Sequence, residues 1–207
     1  MRLALIWLLL LAAPLPALAL PWDEDGAVIS ATSRRAEDNP RIGTVMHDLT
    51  TEMLADPVML AALRQASRDN DTVSIDTIIQ RDIAWRLQAK RGRGTLLDVG
   101  MGGTLSQRLA LMRFPRQAVL TDLILTDDRG LLAGATRIPS DYDQSDEAKY
   151  MIPATTAPGM VHVENAAYDE SADDYVVLAS VLLVDPVDGK QLGVLCANFN
   201  LAALQRD

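Results

Sequence analysis

Hydrophobic and polar positions divide the chain into a helical first half and a β-rich second half. Apolar residues recur every three or four positions over residues 46–66, which predicts helices that Asp56-Pro57 interrupts, because proline cannot continue a helix as an interior residue. A further helix is predicted between an N-cap at Ser74 and the basic, glycine-terminated residues 90–92, and a shorter one over residues 104–112. The apolar stripe expected to bury the Ser74 helix consists of Ile75, Ile78, Ile79, Ile83 and Leu87.

Beyond residue 118 the pattern changes to short apolar runs separated by turn signals. The predicted strands cover residues 119–125, 131–135, 160–164, 175–184 and 191–199, with short helices at 147–152 and 201–204. The last two strands are apolar on both faces, which is typical of the centre of a covered sheet. Helices followed by strands predict an α+β domain whose N-terminal helices pack on a central antiparallel sheet of about five strands.

The N-terminal segment has the pattern of a secretory signal peptide. Met1-Arg2 precedes an apolar stretch over residues 3–13, and Ala17-Leu18-Ala19 is a small-x-small cleavage site. The stretch is shorter than the roughly 20 residues that cross a bilayer; a retained membrane anchor is the alternative. We therefore expect a signal peptide over residues 1–19, an exposed segment over 20–41, and one domain over 42–207 of a periplasmic or secreted protein.

Composition and charge narrow the function classes. The 28 Asp and Glu residues outnumber the 19 Lys and Arg residues, and the net charge of −9 argues against nucleic acid as a partner. Cys196 lies in an apolar run and is expected to be a buried free thiol, while His47 and His162 stand far apart in sequence. We therefore expect no metal site, no cofactor and no enzymatic activity, with an uncharacterised hydrolase as the open alternative.

Two polar segments resemble ligand loops only superficially. Residues 100–104 lack the Gly-Lys-Ser/Thr ending of a phosphate loop, so we interpret them as a flexible loop that caps the next helix. Carboxylates over residues 141–147 are spaced somewhat like those of a calcium loop. However, Asp146 and Ile152 stand where such a loop has its glycine and its glutamate.

The hairpin and the loop that follows it carry a family resemblance. Residues 123–136, LILTDDRGLLAGAT, and residues 140–147, SDYDQSDE, resemble the Cache family of extracytoplasmic, PAS-like sensor domains. In that family an apolar strand, a Thr-Asp-x-x-Gly turn and a returning strand precede a Ser-Asp-Tyr-x-Gln-x-Asp-Glu loop and a short aromatic-bearing helix. Tyr150 supplies that aromatic here, and the resemblance spans roughly residues 46–204.

The resemblance implies a small molecule, of a class it does not indicate, bound between the sheet and the covering loop and helix. Asp146 or Glu147 would hold a ligand ammonium, and Arg137 a carboxylate. An amino-acid-binding variant of the family has Arg-x-Trp-Tyr on the covering helix; residues 147–150 lack that arginine and tryptophan, so amino acids are not indicated. Alternatively, the loop residues only staple the loop to the sheet. The expected ligand-binding residues are Thr136, Arg137, Tyr142, Gln144, Asp146, Glu147, Tyr150 and Ser180.

The expected function follows from the signal peptide and the resemblance together. Family members are usually joined to a membrane helix and an output domain, whereas this sequence ends at Asp207. We expect a stand-alone periplasmic sensor that binds a small molecule and signals through a separate membrane partner, a receptor or a kinase. The alternative is a periplasmic protein-interaction module without a small-molecule ligand. Pairing of the helices into a homodimer is left open.

Overall fold

The computed structural model describes residues 39–169 and 173–206, which form an α+β domain of helices followed by an antiparallel sheet, as predicted. The expected signal peptide and residues 20–38 lie outside the described residues. The helices are α1 Pro40–Ala55, α2 Pro57–Asp71, α3 Ile75–Arg91, α4 Thr95–Gly102, α5 Thr104–Arg113, α6 Ala148–Ala154 and α7 Leu201–Leu204, with a 3-10 turn at Phe114–Arg116. The strands are β1 Leu120–Thr126, β2 Leu132–Ala135, β3 Val161–Val163, β4 Ala167–Asp169, β5 Asp174–Val184 and β6 Gln191–Asn200.

The sheet has the order β2-β1-β6-β5-β3, and β4 pairs with β5 beside β3. All pairs are antiparallel. The long strands β5 and β6 lie at the centre, which confirms the prediction from their apolar character. The three-residue strand β4 was not predicted; its Ala167 and Tyr168 are exposed, so no buried apolar pattern marks it.

Local capping chemistry explains where the first helices begin and end. Asp56 ends α1, and its carboxylate accepts hydrogen bonds from the backbone N–H groups of Val58 and Met59 at the start of α2. Pro57 occupies the first turn of α2, where its missing N–H costs nothing. Ser74 accepts from the Thr77 N–H and starts α3, and Gly92 ends α3 in a left-handed conformation with φ 64°. These boundaries agree with the sequence prediction.

The two faces of the sheet carry different layers. Side chains alternate between the faces, so neighbouring strand residues belong to different cores. Leu123, Leu125 and Phe199 pack with α1, α2 and α5 on one side, here called the back face. Ile124 and Cys196 belong to a smaller core with Trp85 of α3, on the front face. Among the described residues, no helix has both the length and the apolar character needed to cross a membrane.

The predicted apolar stripe of α3 was wrong. The buried residues of α3 are Ile78 and Trp85, whereas the other four predicted residues are exposed. The physical reason is that the stripe repeats every four residues, whereas the helix has about 3.6 residues per turn. Such a row therefore winds around the helix. It does not stay on the face that Ile78 and Trp85 bury. Ile75, Ile79, Ile83 and Leu87 are 71%, 47%, 48% and 50% exposed.

The prediction of a flexible loop over residues 100–104 was also wrong. Residues Thr95–Gly102 form α4, and the chain breaks only at Gly103 before α5 begins. A Cβ at Gly100 would lie 2.9 Å from Cζ3 of Trp85. The glycine therefore lets α4 pack closely on α3.

Candidate functional site

A cavity of about 900 Å³ lies on the front face of the sheet. It is open to solvent and is bordered by the floor strands β1 and β6, the end of β4, the loop after β2, the start of α6 and the C-terminal half of α3. Its volume falls within the range of ordinary small-molecule pockets. It is lined by Arg86, Ala89, Lys90, Asp122, Ile124, Ile138, Pro139, Ser140, Asp141, Lys149, Asp169 and Asn198.

The floor of the cavity is polar. The register of β1 and β6 places Asp122 directly opposite Asn198. The two residues are only 6% and 9% exposed, and neither Oδ1 has a hydrogen-bond partner among the residues the structure describes. A buried polar atom without a partner costs about 1–3 kcal/mol. The cavity floor thus carries the side chains of Asp122 and Asn198, each with one buried oxygen that has no described hydrogen-bond partner.

The electrostatic surroundings of Asp122 oppose its ionisation. Burial raises the pKa of this carboxyl above its ordinary value of 3.8, and the negative charge of Asp169 adds to the rise. The positive charge of Arg137 and a side-chain hydrogen bond with Asn198 counteract it, so it is the Oδ1 atoms of the pair, and not the whole side chains, that have no described partner. A cationic group entering the cavity would stabilise the charged carboxylate. The chemistry of the floor therefore favours a ligand that brings a positive charge or a hydrogen-bond donor.

Basic side chains of α6 and α3 also line the cavity. The Lys149 ammonium lies 2.8 Å from Oε2 of Glu147, and only 12% of its side chain is exposed. Arg86 bonds the carboxylate of Asp82 at 2.7 Å and that of Asp141 at 3.4 Å, which ties α3 to the covering loop. Burial raises the pKa of Glu147, and Lys149 opposes the rise. The cavity thus contains both acidic and basic side chains, and Lys149 and Arg86 are each paired with a carboxylate.

Polar side chains form a row on the front face that extends from the cavity floor onto β5 and β3. Ser180 pairs in register with Cys196 of β6 on one side and with His162 of β3 on the other. Within the described ranges, neither Oγ of Ser180 nor Nε2 of His162 has a hydrogen-bond partner, and this nitrogen lies 3.8 Å from Oε1 of Glu164. The Cys196 thiol lies 3.8 Å from the carbonyl oxygen of Lys149, which shows that α6 covers this row.

The eight residues expected from the sequence lie outside the lining of this cavity. Three of them make hydrogen bonds in or beside the segment that covers the sheet, which consists of the loop after β2 and α6 and is here called the cover. The Tyr150 hydroxyl donates to the Asp128 carbonyl at 2.6 Å, Gln144 donates to the carbonyl and carboxylate of Asp141, and Thr136 Oγ1 accepts from the Leu123 N–H at 2.8 Å. Of the three, Gln144 lies in the loop for which the sequence left a stapling role as the alternative; its amide bonds stay within that loop, and its backbone N–H donates to the Gly130 carbonyl at 2.9 Å.

The remaining expected residues have different surroundings. Tyr142 packs against Trp85 with ring centroids 6.3 Å apart and lines a separate cleft of about 420 Å³ between α2, α3, α4 and α5. Asp146 is exposed in the turn before α6. Arg137 and Glu147 act on the cavity indirectly, through Asp122 and Lys149, and Ser180 belongs to the row beneath α6. Ligand contact by any of the eight stays a prediction.

Sequence reasoning missed Asp122, Asn198 and Lys149. A local signal exists for the first two, because each is a polar residue inside an otherwise apolar strand, in VLTDLIL and LCANF. Their significance depends on the pairing of β1 with β6, which joins residues far apart in sequence. That register is not readable from either segment alone.

Comparisons with known proteins give structural neighbours only. No protein-family model and no curated protein matches the chain. The fold is similar to the ligand-binding domain of the Campylobacter jejuni chemoreceptor Tlp3 in complex with 4-methylisoleucine, at 16% identity and a TM-score of 0.40 over 90% of this chain and 66% of that chain. It is also similar to the ligand-binding domain of the Pseudomonas aeruginosa PAO1 amino acid chemoreceptor PctC in complex with GABA, at 13% identity and a TM-score of 0.46 over 88% of this chain and 62% of that chain. The chain thus spans slightly less than two thirds of each of these two structures.

Proposed function

We propose that this chain is a small-molecule-binding sensor module whose ligand occupies the cavity between the sheet and its covering segment. The observation that carries the proposal is the pair of buried, unpartnered oxygens of Asp122 and Asn198 on the cavity floor. Buried polar atoms in native proteins nearly always have a partner. A bound molecule that donates hydrogen bonds to this pair would supply one.

The lining suggests the chemical class of the ligand. Asp122 and Asn198 suit an ammonium or another hydrogen-bond donor, while Lys149 and Lys90 suit an anionic group on the same molecule. Ile124 and Ile138 give apolar contact between the two ends. We therefore propose a small ligand that carries a cationic group and an anionic group on a short hydrocarbon frame.

Binding without catalysis is part of this proposal. Histidine is the side chain that most often acts as a general base, and the described lining of the cavity contains none. The signal-peptide pattern supports a periplasmic location, and we propose that the ligand-bound domain signals through a separate membrane receptor or kinase. The Cache resemblance of residues 123–147 supports both the sensor role and the placement of the ligand.

A thermal-shift panel of amines, carboxylates, amino acids, nucleobases and calcium tests the proposal. A ligand that binds only the folded state adds about 2.7 kcal/mol of stability at one hundred times its dissociation constant. We expect a molecule with both charges to raise the midpoint in the wild type and in Asp48→Asn, which changes an exposed carboxylate on α1. The shift should disappear in Asp122→Asn. A cooperatively melting protein that responds to no class would instead favour the protein-interaction module.

A further inference from the structure

The outer face of α3 carries an apolar row that nothing in the described structure covers. Ile75, Ile79, Ile83 and Leu87, here called the α3 row, are all between 47% and 71% exposed. They extend along about 18 Å of helix. Single exposed apolar side chains are normal on protein surfaces, whereas a contiguous set marks an interaction surface. We therefore expect a partner surface that covers this row.

The charges around the row are arranged with opposite signs at its two ends. Asp76 lies in the first turn of α3, and Lys90 and Arg91 lie in its last turn; all three are exposed. A surface that is acidic at one end and basic at the other is complementary to itself when one copy is turned around. Two pairs are symmetric about Ile83: Ile79 and Leu87 are each four residues from it, and Asp76 and Lys90 are each seven residues from it. Ile75, eight residues before Ile83, has Arg91 as its counterpart.

We propose that the α3 row is the interface of a homodimer in which two α3 helices pack antiparallel around a two-fold axis at Ile83. This arrangement places Ile83 of the two copies together. Ile79 of each copy then lies against Leu87 of its partner, and Asp76 lies against Lys90 of its partner. Seven residues are about two helical turns, so the apolar and charged pairs share one face. The contact is isologous and closed, as in most soluble dimers.

Charge complementarity selects this arrangement over the alternatives. A parallel pair would bring Asp76 against Asp76 and Lys90 against Lys90, and like charges in contact oppose association. An unrelated partner would have no reason to match the even spacing of Asp76 and Lys90 about Ile83. A second copy of the chain meets both the apolar and the charged parts of the surface.

The size of the row sets the expected strength. A standard stable interface buries about 800 Å² on each partner, and four partly exposed side chains with their polar neighbours provide less. We therefore expect a reversible dimer with a dissociation constant of roughly 1–100 μM rather than a permanent one. Lys90 belongs to both surfaces, whereas Ile83 and Asp76 lie outside the cavity lining, so substitutions at those two positions test the dimer separately from the proposed ligand.

Sedimentation velocity of the purified chain over a range of concentrations tests the proposal. The wild type should shift from monomer to dimer as concentration rises, and Ile83→Glu should stay monomeric. Leu111→Glu is the matched control, because Leu111 is an apolar residue on α5 that is 68% exposed; it should dimerise like the wild type. A wild type that stays monomeric throughout, or a dimer that survives Ile83→Glu, overturns the proposal.

Charge exchange tests the antiparallel direction. Asp76→Lys alone and Lys90→Asp alone should each weaken the dimer about tenfold, because each sets like charges against one another. The double variant restores opposite charges in an antiparallel pair and should recover the wild-type dissociation constant. In a parallel pair the wild type, both single variants and the double variant all set like charges together, so single variants that dimerise like the wild type contradict the assigned direction.

Discussion

Asp122 of β1 and Asn198 of β6 are register partners, and both keep an Oδ1 atom without a hydrogen-bond partner in the part of the chain that the structure describes. An apolar pair at these positions would be easier to bury. A sequence that retains a carboxylate and an amide there accepts a cost in stability, and such costs are typical of binding sites. Because the pair lies under the cavity, we attribute this cost to ligand binding.

The first prediction concerns the pH dependence of stability. Burial raises the pKa of Asp122 in the folded chain, so its favourable contribution is complete below its ordinary pKa of 3.8 and is lost as pH rises through the raised value. Asp122→Asn cannot ionise. We expect it to be more stable than the wild type at pH 7 by about 1 kcal/mol, with the difference shrinking at pH 4, in urea unfolding. Asp48→Asn should change neither value, and an Asp122→Asn difference that is the same at both pH values would contradict the explanation.

A pair of buried serines provides the second prediction. Ser180 Oγ has no partner within the described residues, so Ser180→Ala should leave the free energy of unfolding unchanged or raise it by about 1 kcal/mol. Ser106 is the matched control: its hydroxyl donates to the Gly100 carbonyl at 2.7 Å and accepts from the Ala135 N–H at 3.0 Å. Ser106→Ala should lower the free energy of unfolding by about 1–3 kcal/mol. Equal losses in the two variants would show that Ser180 has a partner after all.

The third prediction concerns glycine. Gly193 has φ 148°, and a Cβ there would lie 1.9 Å from the Thr126 carbonyl oxygen of the neighbouring strand. Gly193→Ala should destabilise the domain by about 2–4 kcal/mol. Gly43 lies inside α1 with open space around it, so Gly43→Ala should stabilise by about 0.5–1 kcal/mol. Thermal unfolding of both variants checks the pair, and a wild-type midpoint for Gly193→Ala would contradict the pairing of β1 with β6.

The fourth prediction uses Cys196 as a reporter of the cover. Burial raises the pKa of its thiol to about 12, and α6 lies over it. A thiol-reactive reagent should therefore leave native Cys196 unmodified at pH 8 and label it on unfolding. In Ser140→Cys the added thiol, at an exposed position, should react at the rate of a free cysteine while Cys196 stays protected. Rapid labelling of native wild type would mean that α6 does not cover the front face.

The sequence allowed good predictions wherever the determining interactions are local. The break at Asp56-Pro57, the N-cap Ser74 and the C-terminal Gly92 each act within a few residues, and all three were placed correctly. The apolar strands β5 and β6 were predicted because their burial on both faces is visible in composition. The errors lie elsewhere: the outward α3 row and the helical Gly100 depend on Trp85, which selects the buried face of α3 and packs against α4.

The candidate site was harder to predict than the fold. Its floor comes from a long-range pairing, and its wall comes from Lys149 on α6 and from the far end of α3. The resemblance directed attention to the covering loop, where Tyr150 and Gln144 hold the cover rather than line the cavity. What the sequence did indicate is the general placement, a space between the sheet and that cover.

Calorimetric titration of the best ligand from the thermal-shift panel into wild type, Asp48→Asn and Asp122→Asn tests the central claim most directly. We predict equal dissociation constants for the first two proteins and a weakening of at least about thirtyfold for Asp122→Asn, because a ligand cation loses its buried carboxylate partner. An unchanged dissociation constant in Asp122→Asn would place the ligand elsewhere. The absence of any ligand for a cooperatively folded wild type would contradict the sensor function itself.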